Sequence, residues 1–135
     1  MELTLPRGTL TEAFKADVDA FYGDVFGWTF LDVPIVKQVG HLCRVDENGD
    51  FLLLLESDTP IQSPGYDHLG FLYDTAAEVD DVLAKCQAWQ QKDDRVRLKL
   101  YDDLETPNMT VHAFYVKHLL PLWFDVQSME PHTAT

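Results

Sequence analysis

The stretch Phe14-Lys-Ala-Asp-Val-Asp-Ala-Phe-Tyr-Gly-Asp-Val-Phe-Gly-Trp28 decides the fold class. Its apolar residues Phe14, Val18, Phe21, Tyr22, Val25 and Phe26 recur at i, i+4, i+7, i+8, i+11 and i+12. That period gathers them on one stripe of an amphipathic helix of about three turns, which must be covered by another layer. Gly27 follows the last stripe residue and supplies a stop. A second helix is predicted through Val79, Val82, Leu83, Cys86 and Trp89. Thr75-Ala-Ala-Glu78 precedes it as a capping box, in which hydroxyl and carboxylate satisfy free amides of the first turn. Around these helices lie short β-type runs at 28–33, 41–45, 51–55, 67–73, 96–101, 110–116 and 122–126. Glu47-Asn48-Gly49-Asp50 tolerates positive φ, so Leu42 to Leu55 reads as a β-hairpin.

Ser57 to Tyr66 holds two Pro, two Ser and a Gly near the middle of the chain and reads as a linker. Sliding the chain by 61 residues lays Ala16, Val18, Asp19 and Trp28 on Ala77, Val79, Asp80 and Trp89. The same shift aligns strand, helix and strands, which gives two β-α-β-β-β units whose first strand is expected near Gly8 to Glu12. The expected architecture is one α+β domain over 1–135, with modules at about 1–57 and 66–130, a linker at 58–65, and two curved mixed sheets.

A chain of 135 residues fits one such domain and can bury about two thirds of its unfolded surface. With 46% apolar and 24% charged residues it is an ordinary globular composition, not a disordered or fibrous one. Ten Lys and Arg against 23 Asp and Glu leave a net charge of −13, a field that repels phosphate backbones and anionic lipid. Nucleic acid and membrane surfaces are therefore not expected as partners. No window approaches a membrane span of about 20 apolar residues, and the start Met1-Glu-Leu-Thr-Leu-Pro-Arg7 lacks an export pattern, so a cytoplasmic protein is expected. Cys43 and Cys86 stand far apart without finger spacing and read as buried, reduced thiols.

Several stretches resemble the vicinal oxygen chelate superfamily of glyoxalases, bleomycin resistance proteins and extradiol dioxygenases. Ala20-Phe-Tyr-Gly-Asp-Val-Phe-Gly-Trp28 is similar to the family's "FY.dvLGw" helix end, and Asp67-His-Leu-Gly-Phe71 to its "HigF" strand. Phe114-Tyr-Val116 through Phe124-Asp-Val-Gln127 is similar to its closing hairpin, with His118-Leu-Leu-Pro121 standing in for the usual Asp-Pro-Asp-Gly turn. The resemblance implies paired β-α-β-β-β modules curled round a cleft, often in a homodimer. It also implies a divalent metal held from the first and last strands of each module, at positions that here fall on Arg7, Glu56, His68 and Asp125.

On a period of two, Glu56 shares a face with Leu52 and Leu54, His68 with Gly70 and Leu72, and Asp125 with Trp123 and Gln127. Two carboxylates and one imidazole suit Fe, Mn, Ni or Zn and leave open positions for a chelating substrate. Arg7 sits 61 residues before His68 but cannot ligate a metal. It forms an ion-pair network with Glu56 and Asp125, or grips a substrate carboxylate, or yields the position to Thr9. Trp123 and Phe114 are candidates to line the cleft for a flat ligand. His41, His112 and His118 have no HxH or HExxH spacing and read as structural or surface residues, and no phosphate loop or nucleophile elbow is present.

Two functions follow as expectations. One is a metal-dependent lyase, isomerase or dioxygenase acting on a small oxygen-chelating or aromatic molecule, with Glu56 and Asp125 as catalytic carboxylates. The other is a metal-free, bleomycin-resistance-type binding protein, whose charge of −13 steers cationic compounds inward.

Overall fold

A computed structural model describes residues 1–132 of the chain and divides it into two compact units that meet between Gln62 and Ser63. In the first, β1 (Glu2–Pro6) leads to α1 (Glu12–Phe26), then β2 (Thr29–Ile35), β3 (Gln38–Arg44) and β4 (Phe51–Ser57). The sheet order is β1-β4-β3-β2, with β1 parallel to β4 and the other pairs antiparallel. In the second, β5 (His68–Tyr73) leads to α2 (Ala76–Lys92), then β6 (Arg97–Leu100), the short β7 (Leu104–Glu105), β8 (Met109–Lys117) and β9 (Trp123–Pro131). Its order is β5-β9-β8-β6, with β7 also on β8 and β5 parallel to β9. The fold is α+β, a β-α-β-β-β pattern stated twice, with the short β7 added in the second unit.

The caps explain where the helices begin and end. Thr11 is the N-cap of α1 and its side chain accepts from Phe14 N, while Gly27 closes the helix in the left-handed region at φ 74°. Any side chain there meets a steric cost, so Gly27→Ala is expected to lower the unfolding free energy by about 1 kcal/mol in urea titrations. Thr75 caps α2 in the same way, accepting from Glu78 N at 3.1 Å. The capping box is otherwise rearranged: Glu78 Oε1 accepts from the Thr75 hydroxyl at 3.2 Å, and the free amide of Ala76 donates instead to Glu130 Oε1 at 2.5 Å. The turn at Asn48-Gly49 joins β3 to β4 as expected, with Gly49 at φ 96° and Asp46 Oδ1 accepting from Asn48 N and Asp50 N.

Two expectations are corrected. The first strand is Glu2–Pro6, not Gly8 to Glu12, because Gly8 has φ 86° and the chain turns there to reach the Thr11 cap. The buried helix positions Val18, Phe21 and Val25 and their counterparts Val79, Val82 and Cys86 keep the offset of 61, but the N-caps Thr11 and Thr75 stand 64 residues apart, so that offset does not run back into the first strands. The second helix begins about one turn later relative to its buried face, which the apolar stripe alone does not reveal. Under the capped offset His68 corresponds to Thr4, and Arg7 lies beyond the end of β1.

Each sheet keeps one face for its helix. In the first unit Leu3, Leu5, Cys43, Leu52 and Leu54 are buried with Val18, Phe21, Tyr22 and Val25 of α1. In the second, α2 packs on β8 and β9, and Phe114, Val116, Phe124 and Val126 are buried with Val79, Val82 and Cys86. Both cysteines are buried, and desolvation pushes each thiol up to about 12, so neither is a nucleophile at neutral pH.

Candidate functional site

Strand pairing decides which side chains share a surface. In the second unit the rows Gly70–Asp125–Tyr115–Lys99 and Leu72–Gln127–Ala113 lie across β5, β9, β8 and β6, with His68 beside Trp123 and Arg97 beside Lys117. Alternation sends the residues between them to the other side, where His112 contacts Asp80 of α2. The row containing Asp125 is therefore on the face that α2 leaves uncovered, where Trp123 and Asp125 are nonetheless buried while Arg97, Lys99 and Lys117 are not.

His68 opens β5, and its Nδ1 lies 2.9 Å from the carbonyl oxygen of Tyr66. A carbonyl only accepts, so Nδ1 carries the hydrogen, and in the neutral ring Nε2 keeps its lone pair. That nitrogen stands 3.4 Å from the Tyr115 hydroxyl and 3.8 Å from Asp125 Oδ2. The Asp125 side chain is 9% exposed and its Oδ1 has no hydrogen-bond partner. Burial raises the Asp125 pKa above its ordinary value, opposed by the charge of His68, and burial likewise raises that of Tyr115. Together these groups are an imidazole with a directed lone pair, an underbonded carboxylate and a phenol that stays protonated.

Aromatic rings frame this group. Tyr115 lies 4.7 Å from His68 and 4.9 Å from Tyr101 between centroids, and Tyr66 lies 5.3 Å from Trp123. Trp123, named from the sequence, stands with His68 and Asp125. Phe114 does not: it pairs with Val126 on the α2 side and is buried in the core.

The chain finds no match among protein-family models, and none among curated proteins by sequence. Its fold does match solved structures. FosX, a genomically encoded fosfomycin resistance protein from Listeria monocytogenes, aligns with TM-score 0.64 at 15% identity, over 95% of this chain and 86% of that one. FosX complexed with Mn(II) and sulfate gives 0.61 at 14% identity, over 94% and 87%. A glyoxylase/bleomycin resistance protein/dioxygenase domain from Frankia sp. EAN1pec gives 0.57 at 15%, over 99% and 90%. This is the vicinal oxygen chelate fold. At such identities the likeness establishes architecture alone.

Within the vicinal oxygen chelate fold, the remaining sequence-named residues belong to the first module. Glu56 shares its sheet face with Leu54, Leu5 and His41, the face that reaches α1 through Asp19. Its carboxylate accepts from Leu10 N at 2.8 Å, and bonds from the Leu10 and Gly8 amides lower its pKa, so it ties the β1–α1 turn together. Arg7 is exposed and its Nε donates to Asp58 Oδ1 at 2.8 Å; the expected hydrogen-bonded network with Glu56 is not formed. Among the described residues no group of three or more His, Cys, Asp or Glu is gathered as a cation site. No helix among them is long and apolar enough to cross a membrane.

Two sites were not legible in the sequence as sites. His41 lies between Asp32 Oδ1 at 2.8 Å from Nδ1 and Asp19 Oδ1 at 2.6 Å from Nε2. His112 lies between Asp103 at 2.6 Å and Asp80 at 2.7 Å in the same manner. Each module thus clamps its helix to its sheet through an Asp–His–Asp bridge. The only sequence signal was the Asp19/Asp80 identity, whose partners lie up to 32 residues away. The cations Arg97, Lys99 and Lys117 were also missed, although they fall in step with Tyr115 and Trp123 on alternating strand positions.

Proposed function

We propose that the uncovered face of the second module binds a small oxygen-bearing molecule, with a divalent cation (Fe, Mn, Ni or Zn) held by His68 Nε2 and Asp125. The observation that carries this is the buried Asp125 carboxylate, whose Oδ1 is unsatisfied, beside an imidazole whose proton is committed to the Tyr66 carbonyl. Leaving such an acceptor unpaired costs about 1–3 kcal/mol, which a cation or a ligand hydroxyl recovers. The donor set fits a borderline divalent ion at two positions. Such a cation, when bound, supplies Lewis acidity toward neighbouring substrate oxygens. Tyr115 donates a hydrogen bond at the edge of the site. Asp125 is also the carboxylate placed to take or return a proton in the metal-free form of the site. A lyase, isomerase or dioxygenase reaction is the enzymatic form of this proposal. The solved FosX complex with Mn(II) supports a metal in this fold without assigning one to this chain.

A metal-free binding protein is the second reading, favoured by the absence of a third gathered ligand among the described residues. Calorimetric titration of chelator-stripped protein with Mn(II) and Zn(II) separates the two. About one ion per chain is expected, lost in His68→Ala and Asp125→Asn, and heat-silent titrations of all three proteins would leave only the metal-free form. Glu56→Gln tests whether the first module contributes a ligand: unchanged stoichiometry and affinity with a lowered melting temperature would give Glu56 a turn-stabilising role alone. A cytoplasmic homodimer taking neither nucleic acid nor membrane is part of the proposal. The charge of −13 supports the exclusion of phosphate-rich partners, and the dimer rests on the family resemblance.

A further inference from the structure

The chain has only ten Lys and Arg among 23 Asp and Glu, so three cations gathered on one sheet face are a local excess. Arg7, Lys15 and Arg95 each pair with a carboxylate at 2.8–3.0 Å. Three others gather on the uncovered face of the second sheet. Arg97 stands directly opposite Lys117, and Lys99 opposite Tyr115. Like charges facing each other across antiparallel strands are destabilising, and among the described residues no carboxylate is paired with any of the three.

They rest on aromatic rings instead. The Arg97 guanidinium lies 5.0 Å and Lys117 Nζ 6.0 Å from the Trp123 ring, while Lys99 Nζ lies 4.6 Å from Tyr66 and 5.4 Å from Tyr101. Lys99 Nζ also approaches the Tyr66 hydroxyl at 3.5 Å. Ring faces hold the cations in place but leave their charge uncompensated. Asp125 is the acid in these rows, and its carboxylate is directed toward His68. The charged side chains of these rows thus sum to a positive charge, opposite in sign to that of the whole chain, and charges a few ångströms away outweigh a distant, screened net charge.

Building on the binding face proposed above, we infer that its ligand is an organic anion: a small aromatic or unsaturated molecule bearing a carboxylate-type oxyanion, received by Arg97, Lys99 and Lys117 beside Trp123 and Tyr66. This replaces the expectation of a cationic ligand drawn from net charge.

The series benzoate, benzyl alcohol and benzylamine, which shares a phenyl ring and differs in charge, tests it when titrated into chelator-stripped protein while the Trp123 indole resonance is followed. Benzoate is expected to bind at least about tenfold more tightly than benzyl alcohol, with benzylamine weakest. Lys99→Met and Arg97→Met should each weaken benzoate about tenfold and leave benzyl alcohol unchanged, and raising salt from about 50 to about 500 mM should act likewise. Preference for benzylamine, or variants that bind benzoate as before, would overturn the anion while leaving the face as a binding surface. If none of the three moves Trp123 at about 10 mM, the binding face itself is wrong and both proposals fall.

Discussion

His41→Ala should cost about 3 kcal/mol of unfolding free energy, and His112→Gln about 2 kcal/mol at pH 5, as both remove the bridges that pin helix to sheet. His41 is 4% exposed, stacks on Phe30 at 5.8 Å and bonds carboxylates on both sides, so truncation leaves a cavity and two acids facing it. The His112 loss should depend on pH. Its two ring nitrogens can both donate to carboxylates only when both carry hydrogen. Asp103 and then Asp80 accordingly raise its pKa above 6.5. A raised histidine pKa gives stability that is complete below about pH 6.5 and is lost as pH rises through the folded value. On the acid side Asp32 behaves oppositely: bonds from His41 and then Lys15 lower its pKa from 3.8, so its contribution is lost as pH falls through that lowered value. Stability should therefore peak between about pH 4 and 6.5. Urea denaturation at pH 5 and pH 9 checks this. Wild type should lose stability on going to pH 9 and His112→Gln should lose less, whereas parallel pH profiles for the two proteins would remove His112 as the titrating group.

Asp125→Asn should abolish metal binding while raising stability at pH 7. A carboxylate whose folded pKa lies above its unfolded value destabilises the fold wherever it is ionised. Asp125 is in that position because burial outweighs the attraction of His68. The gain should vanish as pH falls through 3.8, where the wild-type group is protonated in both states. Stabilisation with loss of function is the signature of a group kept for its chemistry. If Asp125→Asn instead lowers the melting temperature, the carboxylate is a structural element and the proposed site loses its centre.

The periodicity of the two helices, the capping threonine Thr75, the Asn48-Gly49 turn and most strand segments were legible because each is encoded by neighbours within a few residues. β1 escaped detection because five residues that pair in parallel with β4, some 51 positions away, carry no local alternation long enough to read. The resemblance named His68 and Asp125, and both fall on one uncovered face. Glu56, named by the resemblance, and Phe114, named as an aromatic lining candidate, show that a strand pattern does not give a facing. Both lie on good strand patterns, yet strand register turned Glu56 toward the helix side and Phe114 into the core.

By itself the sequence determined the alternation of helix and strand, the duplication, and the supply of chemistry-bearing side chains, since these depend on local spacing. Only the tertiary structure decided which side of each sheet a residue occupies and which charges are left without partners. A strand's facing flips with a shift of one residue, and ion pairing joins residues tens of positions apart; neither is written in local spacing.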